Sequence, residues 1–260
     1  MDFFIADPAG NITAFVFGPP DDRVAEMLLS DDTLKIEQVA FLNAPQQGGH
    51  IKCDMAGGEF CGNACRAAAY YYLLKQTQNR AGDVIVEMSG CGGRPVKVTV
   101  DAERDIAFAE MPLPQSMTAI DWDGYELPAV IFSGITHVVA PYRLIDRMDL
   151  SREKMHSICC KLQTSALGLM FLRYDNYLKP LVWVNQAGSL IWESSCGSGS
   201  TACAWWLSRD MAEGRKSFRF VQPGGELEIR LDRFADGCSL QMGGKVRLLE
   251  RPLLRKLEIE

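Results

Sequence analysis

The residues best suited to chemistry in this chain are two cysteines set in the same local sequence. Glu59-Phe60-Cys61-Gly62-Asn63-Ala64-Cys65-Arg66-Ala67-Ala68-Ala69-Tyr70-Tyr71 returns as Glu193-Ser194-Ser195-Cys196-Gly197-Ser198-Gly199-Ser200-Thr201-Ala202-Cys203-Ala204-Trp205-Trp206. Aligned on Cys61 and Cys196, each copy runs Cys-Gly, a small polar residue, small residues and alanines, then an aromatic pair. A cysteine at the start of a helix meets unpaired backbone N–H groups and a partial positive charge, which bind carboxylates and favour thiolate. Gly62 and Gly197 carry no side chain that would block an approaching anion. Two such thiols facing one carbon suit a single reaction: one takes its proton while the other delivers a proton to the opposite face.

Removing a proton from the α-carbon of an amino acid is hard because the carbanion is high in energy. Preorganised donors and excluded water therefore matter most. Inversion needs one thiolate and one thiol, so the two pKa values must be pushed apart. With each sulfur about 3–3.5 Å from the reacting carbon, the pair would sit roughly 7 Å apart. Each enantiomer needs the opposite arrangement of protons, so neither cysteine is permanently acid or base. The plain alternative is two structural thiols at helix starts. It explains the alanines as packing, but not why Cys-Gly-small-polar opens both helices. A protease-type nucleophile would need a histidine partner, and only His137 lies near a motif-like segment.

The elements that must position these residues read as two halves, 1–115 and 116–260, with the boundary at Pro112-Leu113-Pro114 and the polar stretch after it, and with packing of the last strand on the first half left open. In the first half, strands are predicted at 3–6, 12–17, 36–42, 51–55, 84–88, 96–100 and 106–111. A helix follows Pro19-Pro20-Asp21-Asp22, and the motif helix spans 62–76. In the second half, strands are predicted at 129–132, 137–140, 169–173, 181–184, 190–193, 217–221, 227–231, 239–242 and 245–249. Helices are predicted at 151–161, capped by Ser151, and at 197–212, closed by Gly214. A glycine pair, Gly92-Gly93 or Gly224-Gly225, follows each motif, 31 positions after Cys61 and 28 after Cys196. That second match makes duplication the simplest account. Both motif helices are apolar almost all round, so each should be buried. The expected fold is α+β, with two pseudo-symmetric domains, each an antiparallel barrel-like sheet wrapped around a central helix.

Bulk composition narrows the function classes. Of 260 residues, 47% are apolar and 23% charged, as in globular domains. The net charge of −6, without a basic run, excludes a nucleic-acid surface. No apolar stretch approaches a membrane span, and Met1-Asp2-Phe3-Phe4 is unlike a signal peptide, so a cytoplasmic protein is expected. Nine cysteines, an odd number, argue against a disulfide framework, and His50, His137 and His156 make no paired zinc-ligand spacing. No metal is expected. Cys53, Cys65, Cys91, Cys159, Cys160, Cys203 and Cys238 read as small buried hydrophobes. A homodimer stays open, since the sequence carries no signature of one.

Glu59-Phe60-Cys61-Gly62-Asn63-Ala64-Cys65-Arg66 resembles the first active-site motif of the diaminopimelate epimerase family, and Ser195-Cys196-Gly197-Ser198-Gly199 its second. Gly10-Asn11 before a strand is similar to the family's substrate-binding asparagine. The resemblance covers most of the chain. It implies a two-cysteine site between the domains that needs no cofactor, pyridoxal phosphate included. Proline racemases share the second motif, but their first reads Cys-Gly-His.

Within that family the chain departs from the diaminopimelate enzymes. Their Glu-Arg pair before the second cysteine is missing from Gln186-Ala187-Gly188-Ser189-Leu190-Ile191-Trp192-Glu193. Their Gly-Asn-Pro-His appears as Gly134-Ile135-Thr136-His137, and a distal-end asparagine as Asp54. A site without partners for a zwitterionic tail should bind that tail poorly. Leu190-Ile191-Trp192-Glu193, Gln222-Pro223-Gly224-Gly225 and Glu37-Gln38-Val39 are instead similar to the histidine racemases of metallophore-producing bacteria. The resemblance thus implies a small amino-acid substrate, histidine, with Glu37, Asp54 and Glu193 as candidate imidazole partners. Asn11, Asn63, Gly62, Gly197 and Ser198 are candidates for its carboxylate and amino end. Each carboxylate could equally be a solvated charge, and Glu193 a helix-start anion. Two other readings stand beside this one: diaminopimelate epimerase proper, and a non-catalytic thiol or metal-binding protein.

Overall fold

In the computed structural model, which describes residues 2–249, the chain forms two compact units. One contains the residues up to Glu110 and those from Met242 onward, and the other is Met111–Gln241. The first unit holds β1 (Phe3–Asp7), β2 (Thr13–Phe17), α1 (Asp22–Leu29), β3 (Gln38–Asn43), β4 (Ile51–Met55), α2 (Gly62–Tyr71), β5 (Ala81–Met88), β6 (Val96–Asp101) and β7 (Ile106–Glu110). The second holds β8 (Ser116–Trp122), β9 (Tyr125–Ile131), β10 (Ile135–Pro141), α3 (Arg152–Leu162), β11 (Ala166–Leu172), β12 (Leu178–Val184), β13 (Ser189–Trp192), α4 (Gly197–Leu207), β14 (Gly214–Gln222) and β15 (Gly225–Phe234). Strand β16 (Gly237–Lys245) begins in the second unit and ends in the first, and β17 (Arg247–Leu249) belongs to the first.

The fold is α+β, as expected, and the duplication extends to strand direction. The described pairings are antiparallel except β2–β3, β4–β5 and β10–β11, together with an isolated parallel bridge from Tyr177 to Val221. The sheets are therefore mixed rather than wholly antiparallel. Each parallel pair flanks a helix: α1 lies between β2 and β3, α2 between β4 and β5, and α3 between β10 and β11. A crossover helix returns the chain to the same end of the sheet, so the next strand must run parallel. The order strand–helix–strand, hairpin partner, strand–motif helix–hairpin thus occurs once in each unit. The outermost partner differs in origin, because β1 pairs with β17 from the chain's end whereas β9 pairs with the preceding β8.

Helix α2 is the axis of its unit. All of its residues from Gly62 to Tyr70 are buried, and it packs against β4, β5, β6 and β7. Ala64, Ala67, Ala68 and Ala69 let those strands approach on every side. A larger side chain, as in Ala67→Leu, would overpack the core by about 1–3 kcal/mol. Helix α4 likewise buries Gly199–Ala204 and packs against β9, β10, β11 and β15. Trp205 and Trp206 are half-buried beside Phe132 and Ala202, with Arg233 over the Trp205 ring and Arg209 over that of Trp206.

Four sequence readings are corrected. The 62–76 helix is α-helical only to Tyr71 and then widens into a π-helical turn, Tyr72–Thr77, that ends on left-handed Gln78. The 197–212 helix stops at Leu207, where the Ser208 hydroxyl turns back to the Trp205 carbonyl and competes with helix propagation. Gly214, with φ of +133°, opens β14 instead of closing the helix. The polar stretch after Pro114 is β8, an edge strand whose first four residues are exposed. Its signal was Asp123-Gly124, both at positive φ, which make the tight hairpin to β9.

Candidate active site

In the first unit, Cys61 is the N-cap of α2 with extended backbone, and its sulfur accepts the Ala64 N–H at 3.4 Å. The thiol is half-buried, and its S–H donates to Gln38 Oε1 at 3.2 Å. The approach to this cap is held from the turn after β5, where Ser89 Oγ accepts the Met55 N–H and donates to the Glu59 carbonyl. Gly90 follows at φ +71°, and a Cβ there would strike the Phe60 backbone at 2.2 Å, so only glycine fits.

Asn11 sits on the β1–β2 turn, which left-handed Ala9 and Gly10 make tight and which the Gly10 N–H secures on Asp7 Oδ1. It is 4% exposed, and its Nδ2 donates to Glu37 Oε2 at 3.2 Å. Its Oδ1 is buried without a partner, an acceptor aimed at no group of the protein. Asn63 is buried in the first turn of α2, and its Oδ1 accepts from Arg66 Nη2 at 2.8 Å. The structure therefore gathers Cys61, Gly62, Asn63, Asn11 and Glu37 within one unit. Asp54, on β4 opposite Phe41, forms an ion pair with Lys52 at 3.0 Å, which answers its charge locally.

In the second unit, Cys196 is the N-cap of α4, in backbone geometry close to that of Cys61, but only 6% exposed. Its N–H donates to Gln222 Oε1 at 2.8 Å. Gln222 Nε2 donates to Ser200 Oγ, and Ser200 Oγ donates back to the Cys196 carbonyl at 2.7 Å. The cap is thus clamped on both sides of its peptide. Gly199 leaves room for the ends of Met170 and Cys196, because a Cβ there would press on the Met170 thioether and come 3.2 Å from Cys196 Sγ. Burial holds the Cys196 thiol well above the usual thiol range, and the nearby Glu193 carboxylate adds to this. The Gly199 N–H and Ser198 pull the other way but are outweighed. The expectation that a helix start favours thiolate thus fails at Cys196, because desolvation outweighs the helix N-terminus.

Ser198 Oγ lies 3.7 Å from Cys196 Sγ and 2.9 Å from His137 Nε2. His137 is fully buried on β10, over Gly168, and burial takes its pKa down to about 3, so the ring is neutral. Gly197, Ser198 and Glu193 therefore lie with Cys196 at one helix start. Gln38, Gln222, Ser200 and the His137–Ser198 contact were missing from the sequence-derived site. The only signal for them was that Gln38 and Gln222 fall in segments shared with histidine racemases.

The remaining thiols are free. Cys53, Cys65, Cys159 and Cys203 are buried, as expected, but Cys91 and Cys238 are half-buried and Cys160 is exposed. Helix α3 buries Met155, Ile158 and Cys159, which turns the next residue, Cys160, outward beside His156 Nε2 at 3.6 Å. Among the described residues no three His, Cys, Asp or Glu side chains gather as metal ligands, and no helix is long and apolar enough to cross a membrane.

The family model of the histidine racemase CntK N-terminal domain matches residues 1–250. A histidine racemase from Fusobacterium nucleatum is 31% identical over 249 residues, 89% of each chain. A diaminopimelate epimerase from Erythrobacter litoralis is 29% identical over 189 residues, 68% of this chain and 66% of its own. A solved phenazine biosynthesis protein of the PhzF family from Bacillus anthracis shares the fold, with a TM-score of 0.68 at 12% identity over 95% of this chain and 96% of its own. The doubled cysteine motif, the duplicated fold that carries it and a family match over nearly the whole chain agree, and the protein belongs to the histidine racemase family, relatives of the diaminopimelate epimerases.

Proposed function

We propose that this protein is an isomerase that interconverts L- and D-histidine without a cofactor, with Cys61 and Cys196 as its two proton-transfer groups. The observation that carries this reading is the matched placement of the two cysteines, each the N-cap of a buried, small-residue helix. Family membership supplies the reaction class, amino-acid racemisation, and the relatives named histidine racemase motivate the substrate.

The chemistry follows from the protonation states. Cys196, neutral through burial and Glu193, is the proton donor of the resting enzyme. Cys61 first releases to solvent the proton that its S–H shares with Gln38 Oε1; the thiolate removes the α-proton, and the electron pair left on Cα delocalises into the substrate carboxylate. The Cys196 S–H then protonates the opposite face. The enantiomer leaves with Cys61 as thiol and Cys196 as thiolate, and proton exchange with solvent resets the pair. First-turn N–H groups at Gly62 and Gly197 suit the carboxylate, whose charge grows as the proton leaves. Asn11 Oδ1, buried and without a partner, suits the substrate ammonium. Glu37, held by Asn11, and Glu193 are the side-chain candidates for the imidazole N–H, ahead of Asp54 with its own lysine. Nine free thiols suit a reducing cytoplasm. The similarity to histidine racemases of metallophore-producing bacteria is what motivates a use of D-histidine in the assembly of metal-chelating small molecules.

Chiral chromatography of L-histidine, diaminopimelate and proline incubated with reduced enzyme, with and without chelator, tests the proposal. Conversion of histidine to the racemate, indifferent to chelator, is expected. Turnover of diaminopimelate alone would make the relative from Erythrobacter litoralis the better guide, and chelator-sensitive binding without turnover would favour a thiol or metal-binding role.

A further inference from the structure

Arg66 is a fully buried cation with no anion beside it among the described residues. Its Nη1 donates to the carbonyls of Gly244 at 2.9 Å and Ala107 at 3.4 Å, and its Nη2 to the Pro8 carbonyl at 3.4 Å and Asn63 Oδ1 at 2.8 Å. Nε is buried without a partner. No described carboxylate lies within ion-pairing distance, so every partner is neutral. Burial draws the guanidinium down to about 10, which leaves it charged at neutral pH. Burying an unpaired charge is costly, and such groups are normally matched by an opposite charge. Cys61 and Cys65 are the groups whose charge would act on it, and Cys65, like neighbouring Cys53 and Cys91, is kept protonated by burial. That leaves Cys61 as the group able to answer the charge.

The bond to Asn63 has a directional consequence. A guanidinium only donates, so the atom of Asn63 that faces it must be the amide oxygen. The Asn63 NH₂ therefore points elsewhere and can act only as a donor. Arg66 also ties the Pro8 carbonyl, three residues before Asn11, to the same helix. In the second motif the residue aligned with Arg66 is Thr201, whose hydroxyl merely donates to the Gly197 carbonyl at 2.9 Å. The two copies of the motif thus differ by one buried charge.

We propose that Arg66 is a positioning residue: it locks Asn63 as a hydrogen-bond donor for the substrate carboxylate and supplies the fixed positive charge that favours the Cys61 thiolate. This rests on the two-cysteine reading above, but its test does not require turnover. The test is the iodoacetamide alkylation rate of Cys61 at neutral pH, mapped by peptide mass spectrometry in wild type, Arg66→Lys, Arg66→Gln and Arg66→Leu, with melting curves to establish folding. Arg66→Gln should slow Cys61 alkylation about tenfold, the effect of removing one nearby opposite charge, and Arg66→Lys should keep most of the rate. If Arg66→Gln does not fold, Arg66→Leu, which leaves no polar group to bury, takes its place. With histidine, the Lys variant should raise KM more than it lowers kcat, because its single ammonium cannot hold both Asn63 and the Pro8 carbonyl. Folded Gln and Leu variants with unchanged Cys61 reactivity would overturn the proposal, as would failure of all three variants to fold. A wild type that racemises nothing would sink the racemase reading and leave the alkylation contrast standing.

Discussion

The starts of α2 and α4 are copies of one design that have diverged in charge. Both are opened by a cysteine cap with nearly the same backbone, at φ −129° and ψ 106° for Cys61 and φ −126° and ψ 110° for Cys196. Around Cys61 the sulfur is half-buried, contacts the Gln38 amide and has the buried guanidinium of Arg66 in the following turn. Around Cys196 the sulfur is buried, a carboxylate stands near, and a neutral histidine lies behind Ser198. The lesson is that a helix N-terminus alone does not decide the state of a thiol. Its partial charge is smaller than the desolvation it must offset, so the neighbouring full charge and the degree of burial decide. A duplicated motif can in this way yield an acid and a base from one sequence pattern.

The comparison can be broken most forcefully by removing either sulfur. Cys61→Ala and Cys196→Ala should each reduce the racemisation rate of histidine by about 10²-fold or more, the usual worth of a positioned acid or base, as read by steady-state polarimetry. A smaller effect at one of them would end the two-cysteine account. The clamp on the Cys196 peptide at α4 offers the next largest effect. Gln222→Ala would strand the Cys196 N–H and should lower stability by about 2 kcal/mol in urea titration; a neutral result would mean that water or another group replaces the amide. Reactivity sharpens the contrast directly, since iodoacetamide at pH 7 should label Cys61 at least about tenfold faster than buried, protonated Cys196.

The smallest effect concerns His137. Its folded-state pKa lies below the unfolded value of about 6.5, so the unfolded chain takes up a proton that the folded chain refuses. Its contribution is therefore fully present above that value and is lost as pH falls, by about 1.4 kcal/mol at about pH 5.5. Denaturation of the His137→Gln variant should be less pH-dependent than that of wild type between about pH 7 and 5. Equal slopes would show that the buried ring is not the responsible group.

Much of this was legible in the sequence, for identifiable reasons. Cys-Gly followed by small residues announces both a helix start and a tightly wrapped helix, so Cys61, Cys196 and the two-fold plan could be read directly. The period-two strands around them were also readable, although β8 hid behind an exposed, polar edge. What the sequence withheld was every contact between residues remote along the chain. Gln38 beside Cys61, Gln222 on the Cys196 N–H, and His137 against Ser198 lie 23 to 61 positions apart, and no spacing rule reaches that far. Arg66 was visible as a residue of the motif but not as a buried cation, because its isolation depends on what three other segments, at Pro8, Ala107 and Gly244, fail to supply. Asp54 stood out as a candidate, and its ion pair with Lys52, two residues away on the same face of β4, is a contact that the sequence reading did not weigh.

Deuterium entry at Cα, followed separately from L- and from D-histidine in D₂O with the Cys61→Ala and Cys196→Ala variants, tests the central claim most directly. A two-base enzyme should let each variant exchange the α-hydrogen of one enantiomer only, with retention of configuration. The enantiomer that exchanges should be opposite in the two variants, because each surviving sulfur faces one side of the carbon. Exchange of both enantiomers by one variant, or of the same enantiomer by both, would contradict the assignment of one cysteine to each face.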